Sequence, residues 1–343
     1  MFSFLSRARS CSAAINGTRI EVRRGETLLQ AALRQGMDFP HSCRVGGCAS
    51  CKCRLLAGRV RELTETGYIL TEEELAHGFI LACQSVPRGD VVVAVELSRR
   101  QAAARRGRVV QQEQLTHDIT RLVIQLDQSL DYQAGQYAQL TLDCLAQQPR
   151  SFSFATPAST EAKVSFFVRQ VPGGLFTGLV GAQSLLGQGV SVEGPYGDFH
   201  LRPAAAPLLL VAGGSGLAPL LAMLQDALAR GVGRSVTLLF GAREERDLYA
   251  QAQIAELAGQ WPAPFRFVPV LSAVAAEAPW PGARELVTAL IPDLLEPGAH
   301  AYLCGPPAMV DSATALLVAH GVGREHIHAD RFTTRQGSRP TAA

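Results

Sequence analysis

The chain has 343 residues, 47% of them hydrophobic and 18% charged, with a formal net charge of +2. That length exceeds one ordinary core and predicts two or three domains, and the near-neutral balance excludes an electrostatic nucleic-acid binder. The apolar start, Phe2-Ser3-Phe4-Leu5, is too short for a secretory leader, so a disulfide-built secreted scaffold is excluded and a cytoplasmic protein is expected.

The first domain is expected over residues 13–97. Ile15 and Ile20 flank Asn16-Gly17, a hairpin-turn signal. Thr27 is placed to cap a helix running through Arg34-Gln35, with Gly36 as its stop. Then come Cys43, Cys48 and Cys51 in the spacing C-x4-C-x2-C, with Cys83 as a distant fourth. This is the ligand pattern of a plant-type 2Fe-2S cluster, in which a tight loop supplies three thiolates and a later segment the fourth. Gly46 and Gly47 fall inside the loop, where a side chain would crowd the cluster. A zinc ribbon would show two C-x2-C pairs, and here there is one. No C-x2-C follows Cys53, which is therefore read as a non-ligand, and Cys11, Cys144 and Cys304 have no ligand partners nearby in sequence. Thr71-Glu72-Glu73-Glu74 reads as a capping box opening a short helix before Cys83.

Residues 98–107 are basic and Ala-rich without apolar periodicity and read as a linker. Over 108–203, strand-like runs such as Gln136–Leu142 and Lys163–Val168 alternate with turns, the rhythm of a small antiparallel barrel. It carries Arg150-Ser151-Phe152-Ser153, then Pro172-Gly173-Gly174-Leu175-Phe176-Thr177, then Gly194-Pro195-Tyr196-Gly197. These offer an arginine for a pyrophosphate, an aromatic to stack on a flavin, a hydroxyl aimed at the ring, and backbone amides for phosphate at a helix start.

From 204 to 335 the pattern changes to strands alternating with helices, a doubly wound parallel α/β sheet. Leu208–Ala212 is an apolar strand, Gly213-Gly214-Ser215-Gly216-Leu217-Ala218-Pro219 a glycine turn, and Leu220–Leu228 a helix. The uncharged stretch from Pro203 to Gln225 is long enough to mimic a membrane span, but its central glycines and flanking prolines favour a buried strand and helix. Further strands are expected at Val236–Phe240, Phe267–Leu271 and Ala301–Cys304. Cys304 reads equally as a core cysteine and as a residue beside a nicotinamide.

Four runs in order, His41-Ser42-Cys43, Arg150-Ser151-Phe152-Ser153-Phe154, Val171-Pro172-Gly173-Gly174 and Ala329-Asp330-Arg331-Phe332, carry a resemblance. The chain resembles the ferredoxin-NAD(P)H reductase-type electron-transfer components of bacterial multicomponent oxygenases, most of all those of xylene-type monooxygenases and related methyl-group hydroxylases. The resemblance implies a β-grasp 2Fe-2S ferredoxin, an FAD-binding barrel and an NAD domain. It implies that Cys43, Cys48, Cys51 and Cys83 ligate the cluster and that Arg150, Ser151, Phe152, Ser153, Gly174, Leu175 and Thr177 hold FAD, with Ser153 near the flavin N5. Gly214, Gly216 and Pro219 would form the nucleotide loop. Cys304, Gly305 and Pro306 would lie by the nicotinamide, and Phe332 over the flavin face it must reach, so Ser153, Cys304 and Phe332 are the expected catalytic set. Phe152 stands where the family usually has Tyr. The implied partner is a terminal oxygenase or hydroxylase subunit, membrane-bound in some systems; the reductase of a Rieske dioxygenase or soluble diiron hydroxylase is the alternative. In Gly241-Ala242-Arg243-Glu244-Glu245-Arg246-Asp247 acids outnumber bases, which favours NADH over NADPH.

Overall fold

Asn16 (φ 47°) and Gly17 (φ 85°) both adopt left-handed backbone, the geometry that turns a strand back on itself in two residues. They join β1 (Cys11–Ile15) to β2 (Thr18–Val22) with Ile15 opposite Thr18. The computed structural model describes residues 10–37, 39–41, 46, 51–64, 66, 69–70, 72–95, 103–145, 148–275 and 278–332. These fall into two compact units, one up to residue 95 and one from 103 to 332.

In the first unit, Thr27 and Gln30 exchange side-chain-to-backbone hydrogen bonds that satisfy the opening amides of α1 (Leu28–Arg34). Gly36 (φ 71°) ends that helix. Beyond it lie β3 (Lys52–Ala57), β4 (Val60–Glu62), α2 (Glu72–Ala76), β5 (Phe79–Leu81), β6 (Ser85–Pro87) and β7 (Val91–Ala94). The main sheet runs β2-β1-β7-β3-β5 with β7 parallel to β1, and β4 pairs with β6. The helix buries Leu28, Leu29, Ala31 and Ala32 in the same core as Ile15, Phe39 and Val93, the β-grasp arrangement expected above. Thr71, the expected cap of α2, lies outside the described residues.

The second unit opens with six antiparallel strands, β8 (Ala103–Gln114), β9 (Ile119–Leu126), β10 (Tyr137–Leu142), β11 (Arg150–Ser153), β12 (Lys163–Arg169) and, after α3 (Leu175–Ala182), β13 (Gly189–Tyr196). Their order is β11-β10-β13-β8-β9-β12, and a bridge between Phe154 and Phe166 nearly closes the barrel. β8 already begins at Ala103, inside the stretch 98–107 read above as linker. Its less exposed positions there are Ala103, Arg105 and Gly107, none a large apolar residue, so the usual alternation is absent. Gly107 packs so closely that a Cβ would stand 2.7 Å from the Gln125 carbonyl oxygen.

The rest is a parallel sheet: β14 (Leu208–Gly213), α4 (Leu217–Ala229), β15 (Val236–Ala242), α5 (Gln251–Gln260), β16 (Phe265–Leu271), α6 (Ile291–Leu294), β17 (His300–Gly305), α7 (Pro307–Ala319) and β18 (Ile327–Arg331). The order is β16-β15-β14-β17-β18. Along β14, Leu208, Leu210 and Ala212 pack with α4 and α5 residues, whereas Leu209 and Val211 pack with Val310, Ala313 and Leu317 of α7. Burial on both faces explains the unbroken apolar run, each large side chain contributing about 1.5–3 kcal/mol. The membrane-like stretch is thus β14 and α4, and no helix among the described residues is long and apolar enough to cross a membrane. Helix α4 starts at Leu217, earlier than expected, because a proline is tolerated in a first turn.

Candidate functional site

The two described cysteines among the four candidate cluster ligands come together from the ends of paired strands. Cys51 enters β3 and Cys83 leaves β5, with Lys52 opposite Leu81. The Cys83 amide donates to Cys51 Sγ (3.4 Å) and Gln84 Nε2 donates to Cys83 Sγ (3.5 Å). Donors aimed at sulfur favour the thiolate and tune a bound cluster, so this pair fits an iron–sulfur centre. Cys43, Cys48 and Gly47 lie outside the described residues. Gly46 has φ 81°, and a Cβ there would stand 2.8 Å from Gln84 Cγ, so its constraint includes the very side chain that donates to Cys83. Cys53 is 1% exposed in β3, and burial, then the charge at Cys83, pushes its thiol up to about 12.

On the barrel, β11 alternates half-buried Arg150, exposed Ser151, half-buried Phe152 and buried Ser153. The Phe152 ring is set by Phe176 of α3, 5.2 Å away. Gly173 (φ 70°) turns the chain into α3, whose N-cap, Gly174, has no capping side chain. The first amides of that helix are thus open to an anion, at the positive end of its dipole. Thr177 Oγ1 accepts from the Val171 amide (3.1 Å), and a Cβ on Gly174 would fall 2.5 Å from that oxygen. The hydroxyl therefore stiffens the turn, while Leu175 is exposed at its rim. Arg150 Nη1 donates to the Pro149 carbonyl (2.9 Å). An amide-lined turn, a cation-bearing strand and an aromatic fit a flavin nucleotide with a pyrophosphate.

In the parallel sheet, β14 and β17 are neighbours where the strand order reverses, the position at which open α/β sheets bind nucleotides. Gly214–Gly216 forms a tight turn, and a Cβ on Gly216 would lie 2.2 Å from the Cys304 carbonyl oxygen. Tyr249 donates its hydroxyl to the Gly214 carbonyl (2.9 Å). Pro219 is buried inside α4, so it packs the helix start behind the turn. Pro306 is exposed at the N-terminus of α7, and the Phe332 amide donates to the Gly305 carbonyl (2.9 Å). Cys304 is fully buried among α4-facing apolar residues, where burial, then Asp330, drives its thiol well above the usual range. Its side chain packs within that cluster, with Phe332 against it.

Two features escaped the sequence reading. Ser153 donates to Asp330 Oδ2 (3.4 Å), joining β11 to β18, where Asp330 stands opposite Cys304. Ser153 and Cys304, expected on the flavin and nicotinamide sides, thus both neighbour one buried carboxylate. The second is an ion-pair network. Asp118, between β8 and β9, meets Arg169 Nε (2.9 Å) and Arg243 Nη2 (3.7 Å), and Asp247 meets Arg243 Nε (3.4 Å). Burial alone would raise the Asp118 carboxyl, but the hydrogen bond and charge of Arg169, with Thr116 and His117, bring it below the ordinary range.

Residues 13–88 match the family described as a 2Fe-2S iron-sulfur cluster binding domain, 106–201 the oxidoreductase FAD-binding domain, and 210–315 the oxidoreductase NAD-binding domain. The chain is 39% identical to the xylene/toluene monooxygenase electron transfer component XylA of Pseudomonas putida, over 93% of this chain and 92% of that one. It is 36% identical to the phenol 2-monooxygenase reductase component DmpP of Pseudomonas sp. (strain CF600), with 93% and 92% covered. Among solved structures, the Amycolatopsis cytochrome P450 reductase GcoB aligns with a TM-score of 0.69 at 35% identity, over 94% of this chain and 99% of that one. Chains of this kind are electron-transfer components, and the present one belongs to the same family: the NAD-, FAD- and 2Fe-2S-dependent reductases of multicomponent oxygenases.

Proposed function

We propose that this reductase draws electrons from NADH in preference to NADPH and delivers them to the terminal hydroxylase of an aromatic or alkyl-group monooxygenase. FAD is held by Arg150, Phe152 and the Gly174–Thr177 helix start, the nicotinamide nucleotide by Gly214, Gly216 and Gly305. Cys43, Cys48, Cys51 and Cys83 hold the cluster. A bound flavin takes two electrons as hydride and releases them singly, the count that a 2Fe-2S centre requires.

The observation that carries this reading is the Ser153–Asp330 hydrogen bond, since it sets the strand assigned to flavin against β18, the strand that leads into Phe332. Ser153 keeps its hydroxyl at that wall, Asp330 fixes its direction, and Cys304 and Phe332 exclude water from the same corner. NADH is favoured because both cations of the turn after β15 are engaged, Arg243 with Asp118 and Asp247, and Arg246 with Glu244 at 2.9 Å. Ser153→Ala is expected to slow reduction of the flavin by NADH about ten- to hundredfold without loss of FAD. An unchanged rate would remove Ser153 from the catalytic set. The monooxygenase partner is favoured by likeness to the xylene/toluene component; a dioxygenase partner is the second reading, since a relative 36% identical serves the naphthalene 1,2-dioxygenase/salicylate 5-hydroxylase systems. NADH-driven turnover of purified terminal oxygenases of both kinds separates the two.

A further inference from the structure

His117, Asp118 and Asp247 bring three ligand-type atoms within 4.8 Å of one another, which first suggests a cation site. Their surroundings argue for something else. Two carboxylates face two guanidiniums, Arg169 and Arg243, so the group is already charge-balanced without an ion. What distinguishes it is location. Arg243 directly follows β15, the second strand of the sheet, where side chains read the 2′ position of a bound adenosine. Arg169 reaches from the barrel to within 3.0 Å of where a Cβ on Gly214 would stand, so the network borders the nucleotide turn.

The two acids play different parts. Asp247 is nearly buried and its Oδ2 accepts the Arg243 and Glu244 amides (3.2 and 3.0 Å), so it builds the turn itself. Asp118 accepts no backbone amide of that turn and comes from the β8–β9 connection of the barrel. Its contact with Arg243 is therefore separable from the turn's construction. An arginine at this position is the natural partner of a 2′-phosphate, because its planar fork matches phosphate geometry. Here the guanidinium, although 55% exposed, is drawn toward two carboxylates.

We propose that Asp118 is a specificity-determining residue: a carboxylate of the flavin barrel holds Arg243 away from the adenosine ribose and so keeps the nucleotide site selective against a 2′-phosphate. The inference rests on NADH being the preferred donor and adds the device that makes it so. Replacing the carboxylate removes one of the two acidic partners of Arg243, leaving Asp247, and also unpairs Arg169, so loss of Arg243 in the same variant tells the two cations apart.

The test is equilibrium binding of AMP and adenosine 2′,5′-bisphosphate by calorimetry to the FAD-loaded protein, alongside kcat/KM for NADH and NADPH. Asp118→Asn is expected to raise the bisphosphate-to-AMP affinity ratio, and the NADPH-to-NADH ratio, by about fivefold or more, while Asp118→Asn with Arg243→Ala returns both to the wild-type value. An unchanged ratio in folded, flavin-loaded Asp118→Asn, or a rise that survives loss of Arg243, overturns the proposal. Should Asp118→Asn shed flavin, Arg243→Ala alone carries the test: a binding ratio within about twofold of wild type supports a sequestered guanidinium, and a larger fall shows that it already reads the 2′ group. A wild-type preference for NADPH is a separate outcome, which removes the reading of the donor itself.

Discussion

The first unit and the second build their sites from different materials. The candidate iron–sulfur site of the first rests on side-chain sulfur, with the proposed ligands Cys51 and Cys83 placed by strand ends and oriented by N–H donors. The nucleotide sites of the second rest on backbone: a helix start with no side-chain cap at Gly174, and a turn at Gly214–Gly216 pressed onto the end of β17. A site of ligands fails entirely when one is removed, because no neighbouring atom replaces a thiolate. A backbone site fails by crowding, in proportion to how far its atoms must move.

The largest expected effect is therefore in the first unit. Cys51→Ser should abolish the cluster and with it cytochrome c reduction, leaving ferricyanide reduction through the flavin; iron analysis and visible spectra check this. Cys53→Ser should keep its iron, and equal bleaching of both variants would break the distinction between ligand and core cysteine. In the second unit, Gly216→Ala forces a Cβ to 2.2 Å from the Cys304 carbonyl oxygen, a clash with backbone on both sides. The resulting shift of about 1 Å should lower kcat/KM for NADH by about a hundredfold while FAD stays bound. Gly174→Ala crowds a hydroxyl that can rotate away at the loss of its bond to Val171 and brings its Cβ to 3.0 Å from the Val171 carbonyl oxygen, a milder backbone contact than at Gly216, so FAD affinity should fall only about tenfold, by flavin-release titration. Steeper loss from Gly174→Ala than from Gly216→Ala would contradict this ranking.

On β18, two residues before Asp330, His328 probes stability through its own titration. Burial, then the charges of Arg202 and His300, holds its imidazole down to about 4, against an ordinary 6.5. The folded chain thus binds this proton more weakly than the unfolded chain. The stability involved is complete above about pH 6.5 and drains as pH falls toward 4, by about 2–3 kcal/mol. Thermal melts of His328→Gln should show a shallower acid decline than wild type over that window.

What the sequence made legible follows the same division. Asn16-Gly17, the Thr27 cap and Gly36 act over a few residues, and so do the glycine turns at Gly174 and Gly214, so each could be read from local spacing. The start of β8 could not, because Ala103, Arg105 and Gly107 take the less exposed face where large apolar residues would have signalled a strand. β18 was visible only as the run Ala329-Asp330-Arg331-Phe332, since one short strand at a sheet edge has no helix after it among the described residues to mark its phase. Asp330 with Ser153 and Asp118 with Arg243 join residues far apart in the chain, and nothing in single-sequence spacing pairs them. Cys51 and Cys83 were placed by type and interval alone, because cluster chemistry dictates both.

The central claim is an obligatory order, from nicotinamide through flavin to the cluster. It is tested most directly by mixing NADH anaerobically, in a stopped-flow spectrometer, with protein stripped of flavin but retaining its iron. The account predicts no bleaching of the cluster absorbance until FAD is restored, after which the flavin band falls first and the cluster follows. Bleaching of the cluster by NADH in the flavin-free protein, at the rate seen with flavin bound, would contradict it.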